Sequence, residues 1–132
     1  LHQALREILG RHVCQIGSNI TAERLRFDFS HSQALTAAEI KQIEAKINKV
    51  IKQNLPVKKS QMTLSAAKKR GALAFFERRY NKDNVKVYRI GNFSQEVCGG
   101  PHVKNTAQLG HFKIIKEKSI GLGKRRIYGI LK

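Results

Sequence analysis

Between Arg24 and Ser30 apolar and polar residues alternate: Leu25, Phe27 and Phe29 fall on one side of an extended chain, and Arg24, Arg26, Asp28 and Ser30 fall on the other. That is the period of a half-buried strand. The period then changes. Ile40, Ile43, Ile47, Val50 and Ile51 recur at helical spacing behind Thr36 and Glu39, whose T-x-x-E separation is that of a capping box, and Asn54 with Pro56 closes the helix. Leu1, Leu5, Ile8 and Leu9 mark a further helix face that stops at Gly10. Weaker patterns predict a strand over 12–17 ending in the turn Gly17-Ser18-Asn19, a strand over 57–64, a short helix over 65–70, and another through Phe75 and Tyr80. After a polar turn at 81–84, residues 85–90 and 93–97 read as a hairpin about Gly91-Asn92, and strands near 111–116 and 126–131 flank a turn at 119–123. This mixed order with antiparallel-type connections predicts an α+β fold, a two-layer domain whose mostly antiparallel sheet is covered by helices. The 132 residues show no linker, repeat or low-complexity segment, so a single domain is expected.

Charge alters the picture more than composition does. Hydrophobic residues make up 41% of the chain, enough for a packed core, but 26 Lys and Arg face only 9 Asp and Glu, a net +17. Self-repulsion at that charge points to a polyanionic partner, nucleic acid first. The basic residues are spread along the whole chain and form no single basic helix, which argues against a membrane surface. No apolar run reaches the ~18 residues of a membrane span. The two cysteines, Cys14 and Cys98, are too few for a secreted disulfide framework, so a reduced, cytoplasmic protein is expected.

The sharpest local feature is Cys98-Gly99-Gly100-Pro101-His102. A thiolate and an imidazole three residues apart can meet on one zinc ion if the backbone turns, and two glycines able to adopt positive φ would permit the turn. The plainer alternative is a glycine-rich turn with a buried cysteine and an exposed histidine. Two ligands are half of a tetrahedral site, and His2, His12, His31 and His111 form no pair at helical spacing.

The block Cys98–Val103, followed by Asn105-Thr106 and Gly110-His111-Phe112, resembles the editing domain of bacterial alanyl-tRNA synthetases. So do Gly123–Ile127, Leu1–Arg6, Gln15–Ser18 and Arg24–His31, in the same order along nearly the whole chain. The resemblance implies hydrolysis of seryl- or glycyl-tRNA mischarged on the alanine acceptor. One small group discriminates by only ~1–3 kcal/mol in a synthetic site, so a second, hydrolytic site is needed. In that family zinc is held by H-x-x-x-H and C-x-x-x-H. Cys98 and His102 match the second pair, and the first would fall before Leu1, so the chain is expected to be an N-terminally truncated piece associating with the rest of a parent synthetase. At matched positions, Gln15 and Ser18 are expected to read the seryl hydroxyl or the ester, with routine turn bonding as the alternative, and Arg125 and Arg126 to hold the terminal nucleotide of the tRNA, with a solvated basic strand end as the alternative. Gly99 and Gly100 would bring backbone N–H groups to the ester carbonyl. Asp28 is expected to be structural, pairing with an arginine. Pro101 stands where threonine is common in the family, and Phe76 where glycine is common. Competing readings are a free-standing trans-editing deacylase of the same superfamily, a catalytically inactive basic RNA-binding module, and a structural zinc domain, which two ligands disfavour.

Overall fold

The computed structural model describes residues 1–132, apart from the side chain of Glu77. The elements run α1 (His2–Leu9), β1 (Gln15–Ile20), β2 (Leu25–Ser30), α2 (Ala37–Lys52), β3 (Val57–Met62), α3 (Leu64–Lys69), β4 (Val85–Ile90), β5 (Ser94–Val97), β6 (Phe112–Gly121) and β7 (Lys124–Leu131). The fold is α+β. Its strands form two antiparallel sheets, ordered β1-β2-β7-β6 and β3-β4-β5. Residues 1–52 with 109–132 make one compact unit, and residues 53–108 make the other.

In the first unit the alternation in β2 does what it predicts. Phe27 and Phe29 are buried with Leu5, Val13, Ile43 and Ile127, and His2 packs its ring on Phe27 at 5.5 Å. Helix α2 begins where the capping box places it: Glu39 N–H donates to Thr36 Oγ1 at 3.1 Å, while the Thr36 hydroxyl donates to Glu39 Oε1. It ends at Lys52, and Asn54 takes a positive φ of 49°. Strand β6 lies at a sheet edge, where backbone groups lack a partner strand. Side chains of α2 supply one: Asn48 exchanges two hydrogen bonds with the Phe112 backbone at 2.8 and 2.9 Å, and Glu44 accepts from Ile114 N–H at 2.9 Å. Gly129 is demanded by packing, since a Cβ there would sit 2.4 Å from the Phe112 ring.

The second unit is smaller. Leu64, Ala67, Ala72, Val85, Val87 and Val97 form its core, with Met62 and Tyr80 packed against them. Thr63 caps α3 by accepting from Ala66 N–H at 3.1 Å. The segment after Pro101 is tied to the start of β3, where Val57 N–H donates to the Lys104 carbonyl at 2.8 Å and Leu55 N–H to Thr106 Oγ1 at 2.8 Å.

Several boundaries differ from the pattern; among them β6 runs on to Gly121, through residues read as a turn. The first strand runs over Gln15–Ile20, so Gly17, Ser18 and Asn19 are strand residues. A bulge between Gln15 and Gly17 absorbs the residue that looked like a turn. The helix expected through Phe75 and Tyr80 is one 3₁₀ turn, Glu77–Arg79.

Candidate functional site

The Cys98 loop leaves the second unit's sheet directly after β5, and Cys98 N–H still donates to the Lys86 carbonyl of β4 at 3.1 Å. One residue, Gly100, then bonds both predicted ligands through its two flanking peptide groups. Gly100 N–H donates to Cys98 Sγ at 3.5 Å, and the Gly100 carbonyl pairs with His102 Nδ1 at 2.9 Å. The His102 ring stacks on Tyr88 of β4 with centroids 3.6 Å apart and planes 22° from parallel. A protonated Nδ1 held by a carbonyl leaves the Nε2 lone pair as the ligating atom, the usual arrangement for a metal-binding histidine. Burial of the ring lowers the His102 pKa below the ordinary imidazole value, against the opposing pull of the Gly100 carbonyl and Glu96. Burial thus favours the neutral ring.

Neither Gly99 nor Gly100 takes a positive φ, which corrects the expected reason for the two glycines. A Cβ at Gly99 would meet open space, and one at Gly100 would make ordinary contact with Cys98 Sγ at 3.8 Å. What they provide is a bare backbone at the surface. The Gly100 N–H points to sulfur, which leaves Gly99 as the better placed of the two for an incoming carbonyl. Beside this loop a cavity of about 200 Å³ is lined by Arg79, Tyr80, Asn84, Lys86, Cys98 and Gly99, so the thiol borders a cleft carrying two cations.

Sulfur and imidazole nitrogen are the donor types zinc takes, and Gly100 bonds both residues, so by donor chemistry Cys98 and His102 could supply half of such a site. Among the described residues no group of three His, Cys, Asp or Glu comes together to complete it.

The remaining predicted residues lie in the first unit. Gln15 Nε2 donates to Ser18 Oγ at 3.1 Å along β1, so the two form one polar pair on an edge strand. Gln15, Phe29 and Arg125 lie in register across β1, β2 and β7, which places Arg125 on the side of the sheet that carries the buried phenylalanines. There Glu117 of β6 takes it in a bidentate pair at 2.5 and 2.8 Å, with the two side chains 14% and 9% exposed. Arg126 emerges on the opposite face and is paired just as closely, with Asp28 at 2.7 and 2.9 Å. Asp28 itself is only 6% exposed although its strand position faces away from the phenylalanines, because arginines cover it. That Arg126 bond, followed by the charges of Arg126 and Arg26, holds its carboxyl below the usual carboxylate range despite desolvation.

Three contacts were beyond the reach of spacing. Tyr88, the partner of His102, could have been suspected as an aromatic on the polar side of a strand whose Val85 and Val87 face the core. Glu117 gave no signal. Nor did the contact of His12 Nε2 with His31 Nδ1 at 2.8 Å, with the rings stacked 5.1 Å apart across 19 residues of sequence.

Comparison with known proteins extends this picture. Residues 85–128, from the start of β4 to Tyr128 in β7, match the family described as the threonyl and alanyl tRNA synthetase second additional domain. The alanine–tRNA ligase of Treponema denticola is 58% identical over 131 residues, covering 99% of this chain and 22% of that protein. That of Borrelia garinii subsp. bavariensis is 60% identical over 132 residues, with the same 22% of its length covered. The Thermoanaerobacter pseudethanolicus ligase is 52% identical over 127 residues, 96% of this chain and 14% of that protein. The chain thus spans about a fifth or less of the relatives it matches. Sequence identity over nearly its whole length makes this chain similar to one region of the alanine–tRNA ligases, a region that includes the threonyl and alanyl tRNA synthetase second additional domain.

Proposed function

We propose that the chain is a proofreading module that hydrolyses seryl- or glycyl-tRNA mischarged on the alanine acceptor, acting with the rest of a synthetase in the cytoplasm. The observation that carries this reading is Gly100, whose N–H bonds Cys98 Sγ and whose carbonyl bonds His102 Nδ1, in a loop where Cys98 lines a cationic cleft. A structural turn has no need to lock an imidazole tautomer against a carbonyl and an aromatic ring. The relatives' name, alanine–tRNA ligase, supplies the substrate class.

Water attacks the ester carbonyl carbon. The bond from that carbon to the ribose oxygen breaks, and the amino acid leaves as a free acid while the ribose hydroxyl is restored. Arg79 and Lys86 favour an anionic RNA end at the cleft, and the Gly99 N–H is a donor for the developing oxyanion. On the first unit, Gln15 and Ser18 form a neutral donor–acceptor pair. Cys98 Sγ and His102 Nε2 would hold zinc together with two donors from outside this pair, and the ion would supply charge to order the ester. As a bound ligand, Cys98 is not the nucleophile.

The test is release of radiolabelled serine from seryl-tRNA carrying the alanine anticodon, in zinc-supplemented buffer, with alanyl-tRNA as the control. Serine should be released well above the buffer rate, alanine much more slowly, and Cys98→Ala or His102→Ala should abolish the difference. Seryl-tRNA that decays at the buffer rate with the unsubstituted chain sinks the hydrolase reading. Retained tRNA binding in that case would identify an RNA-gripping module, a second reading favoured by the two-donor metal set.

A further inference from the structure

The two faces of the four-stranded sheet are chemically unlike. One carries Phe27, Phe29 and Ile127, all buried. On the other, the register aligns Asn19, Arg26, Tyr128 and Lys116 in one row, and Gly17, Asp28, Arg126 and Lys118 in the next. Ser30 and Lys124 begin a third row. Directly opposed residues of antiparallel strands project from the same side, so these rows share a surface. Arg24 joins them, its guanidinium 5.4 Å from the Tyr128 ring centroid.

Six cations (Arg24, Arg26, Arg126, Lys116, Lys118 and Lys124) therefore surround one carboxylate, Asp28, which is already bound to Arg126 in two hydrogen bonds. Arg26 lies 3.8 Å from that carboxylate, beyond hydrogen-bonding distance, and its Nε has no hydrogen-bond partner. The three lysines are exposed, and among the described residues none is in an ion pair. The potential of the face is felt by its one aromatic. Desolvation would raise the Tyr128 pKa, yet the hydrogen bond from Arg126 and the charges of Arg126, Lys118 and Arg24 bring it below the ordinary phenol value.

We infer that this open sheet face is the surface on which the sugar–phosphate backbone of the RNA docks, with the lysines neutralising phosphates and Tyr128 as a flat platform among them. The inference rests on the reading of tRNA as substrate and gives that partner a place on the first unit. A charged, flat, aromatic-bearing face is the usual means of gripping nucleic acid without reading sequence. An anionic bilayer is the other polyanion. Cations spread over several strands are not the basic amphipathic helix through which membrane surfaces are usually engaged.

The experiment compares the full 132-residue chain with its Lys116→Gln/Lys118→Gln/Lys124→Gln variant. Binding of uncharged alanine-accepting tRNA is followed by fluorescence anisotropy from 50 to 300 mM salt, roughly the range over which phosphate contacts are read out. Three lost phosphate contacts should reduce the slope of log K against log salt by about 2. If the two proteins bind equally at about 1 M salt, that is roughly a 40-fold weaker complex at 0.15 M. The melting temperature should not fall. An unchanged slope overturns the inference, as does loss of binding to phosphatidylserine vesicles with the tRNA slope intact. Serine release by the unsubstituted chain is scored separately, so a chain that fails to hydrolyse but shows the slope change loses the hydrolase reading and keeps this surface.

Discussion

Arg125 faces two physical demands, and the Glu117 pair decides which dominates. The resemblance assigns it to the tRNA; the structure gives two of its N–H donors to Glu117 across β6 and β7. The perturbation is a double-mutant cycle of Glu117→Gln and Arg125→Met. Exposed pairs contribute about 0–1 kcal/mol and truncation of one partner in a fully buried pair costs about 3–5 kcal/mol. With the side chains 14% and 9% exposed and the geometry bidentate, solvent screening reduces the larger figure without removing it. A coupling of about 2 kcal/mol follows, between those limits. For a chain of this length that is a fall of roughly 6–10 °C in Tm for Arg125→Met. Urea unfolding followed by circular dichroism at 0.15 M salt measures the cycle, and tRNA anisotropy on the same proteins measures the competing role. If the pair holds the sheet, Arg125→Met loses stability and keeps most of its RNA affinity, while Glu117→Gln frees a cation. A coupling below about 0.5 kcal/mol, together with weakened tRNA binding and an unmoved Tm, refutes the structural assignment and returns Arg125 to the tRNA.

The other expectations are simpler to read. Burial, then the neighbouring His12 charge, holds the His31 pKa below the ordinary imidazole value; Arg125 acts in the same sense, and Glu39 and Glu117 oppose it. The unfolded chain therefore takes the proton first, so this contribution is complete above about pH 6.5 and is lost as pH falls through that value towards the folded-state pKa. The urea midpoint should drop between pH 7.5 and 5.5, and drop less in His31→Gln; a midpoint that rises on acidification contradicts the assignment. Asn48→Ala leaves the Phe112 N–H and carbonyl at the β6 edge without their partner, a cost of about 2–3 kcal/mol that hydrogen exchange at Phe112 should localise. Unchanged exchange there would show that water satisfies the edge.

What could be read along the chain was what local periodicity encodes. The β2 alternation and the Thr36–Glu39 cap each lie within a few residues, and the structure forms each element where the pattern puts it, whereas the Cys98–His102 loop turns without the expected positive-φ glycines. The misplaced pieces share a cause. Gly17-Ser18-Asn19 has turn composition, but a bulge and pairing with β2 keep it extended, a tertiary effect that composition does not carry. Glu117 meets Arg125 through the register of the β6–β7 hairpin, and Asp28 meets Arg126 across 98 residues of sequence, where only strand order brings them together. The same holds for Tyr88 against His102 and for His12 against His31. Spacing reveals which residues can act, and topology decides which are already occupied.

Occupation also explains where a charge of +17 is felt. The acids are few, and many are committed to architecture. Asp28 and Glu117 are locked in arginine pairs, Glu44 accepts from the Ile114 backbone, Glu39 closes a helix cap, and Glu7 binds Lys46. A carboxylate fixed in that way cannot swing out to neutralise a distant lysine. The excess cations are therefore unmasked wherever a surface lacks acids of its own, and among the described residues the polar face of the β1-β2-β7-β6 sheet sets only Asp28 among six of them. Uniformly scattered positive charge would give every substitution the same small effect on RNA affinity. Charge concentrated by the placement of acids predicts that Lys116, Lys118 and Lys124 change the salt slope, while α2 lysines such as Lys41 and Lys49 leave it alone. Equal effects from the two sets would mean that net charge, and not this face, governs association.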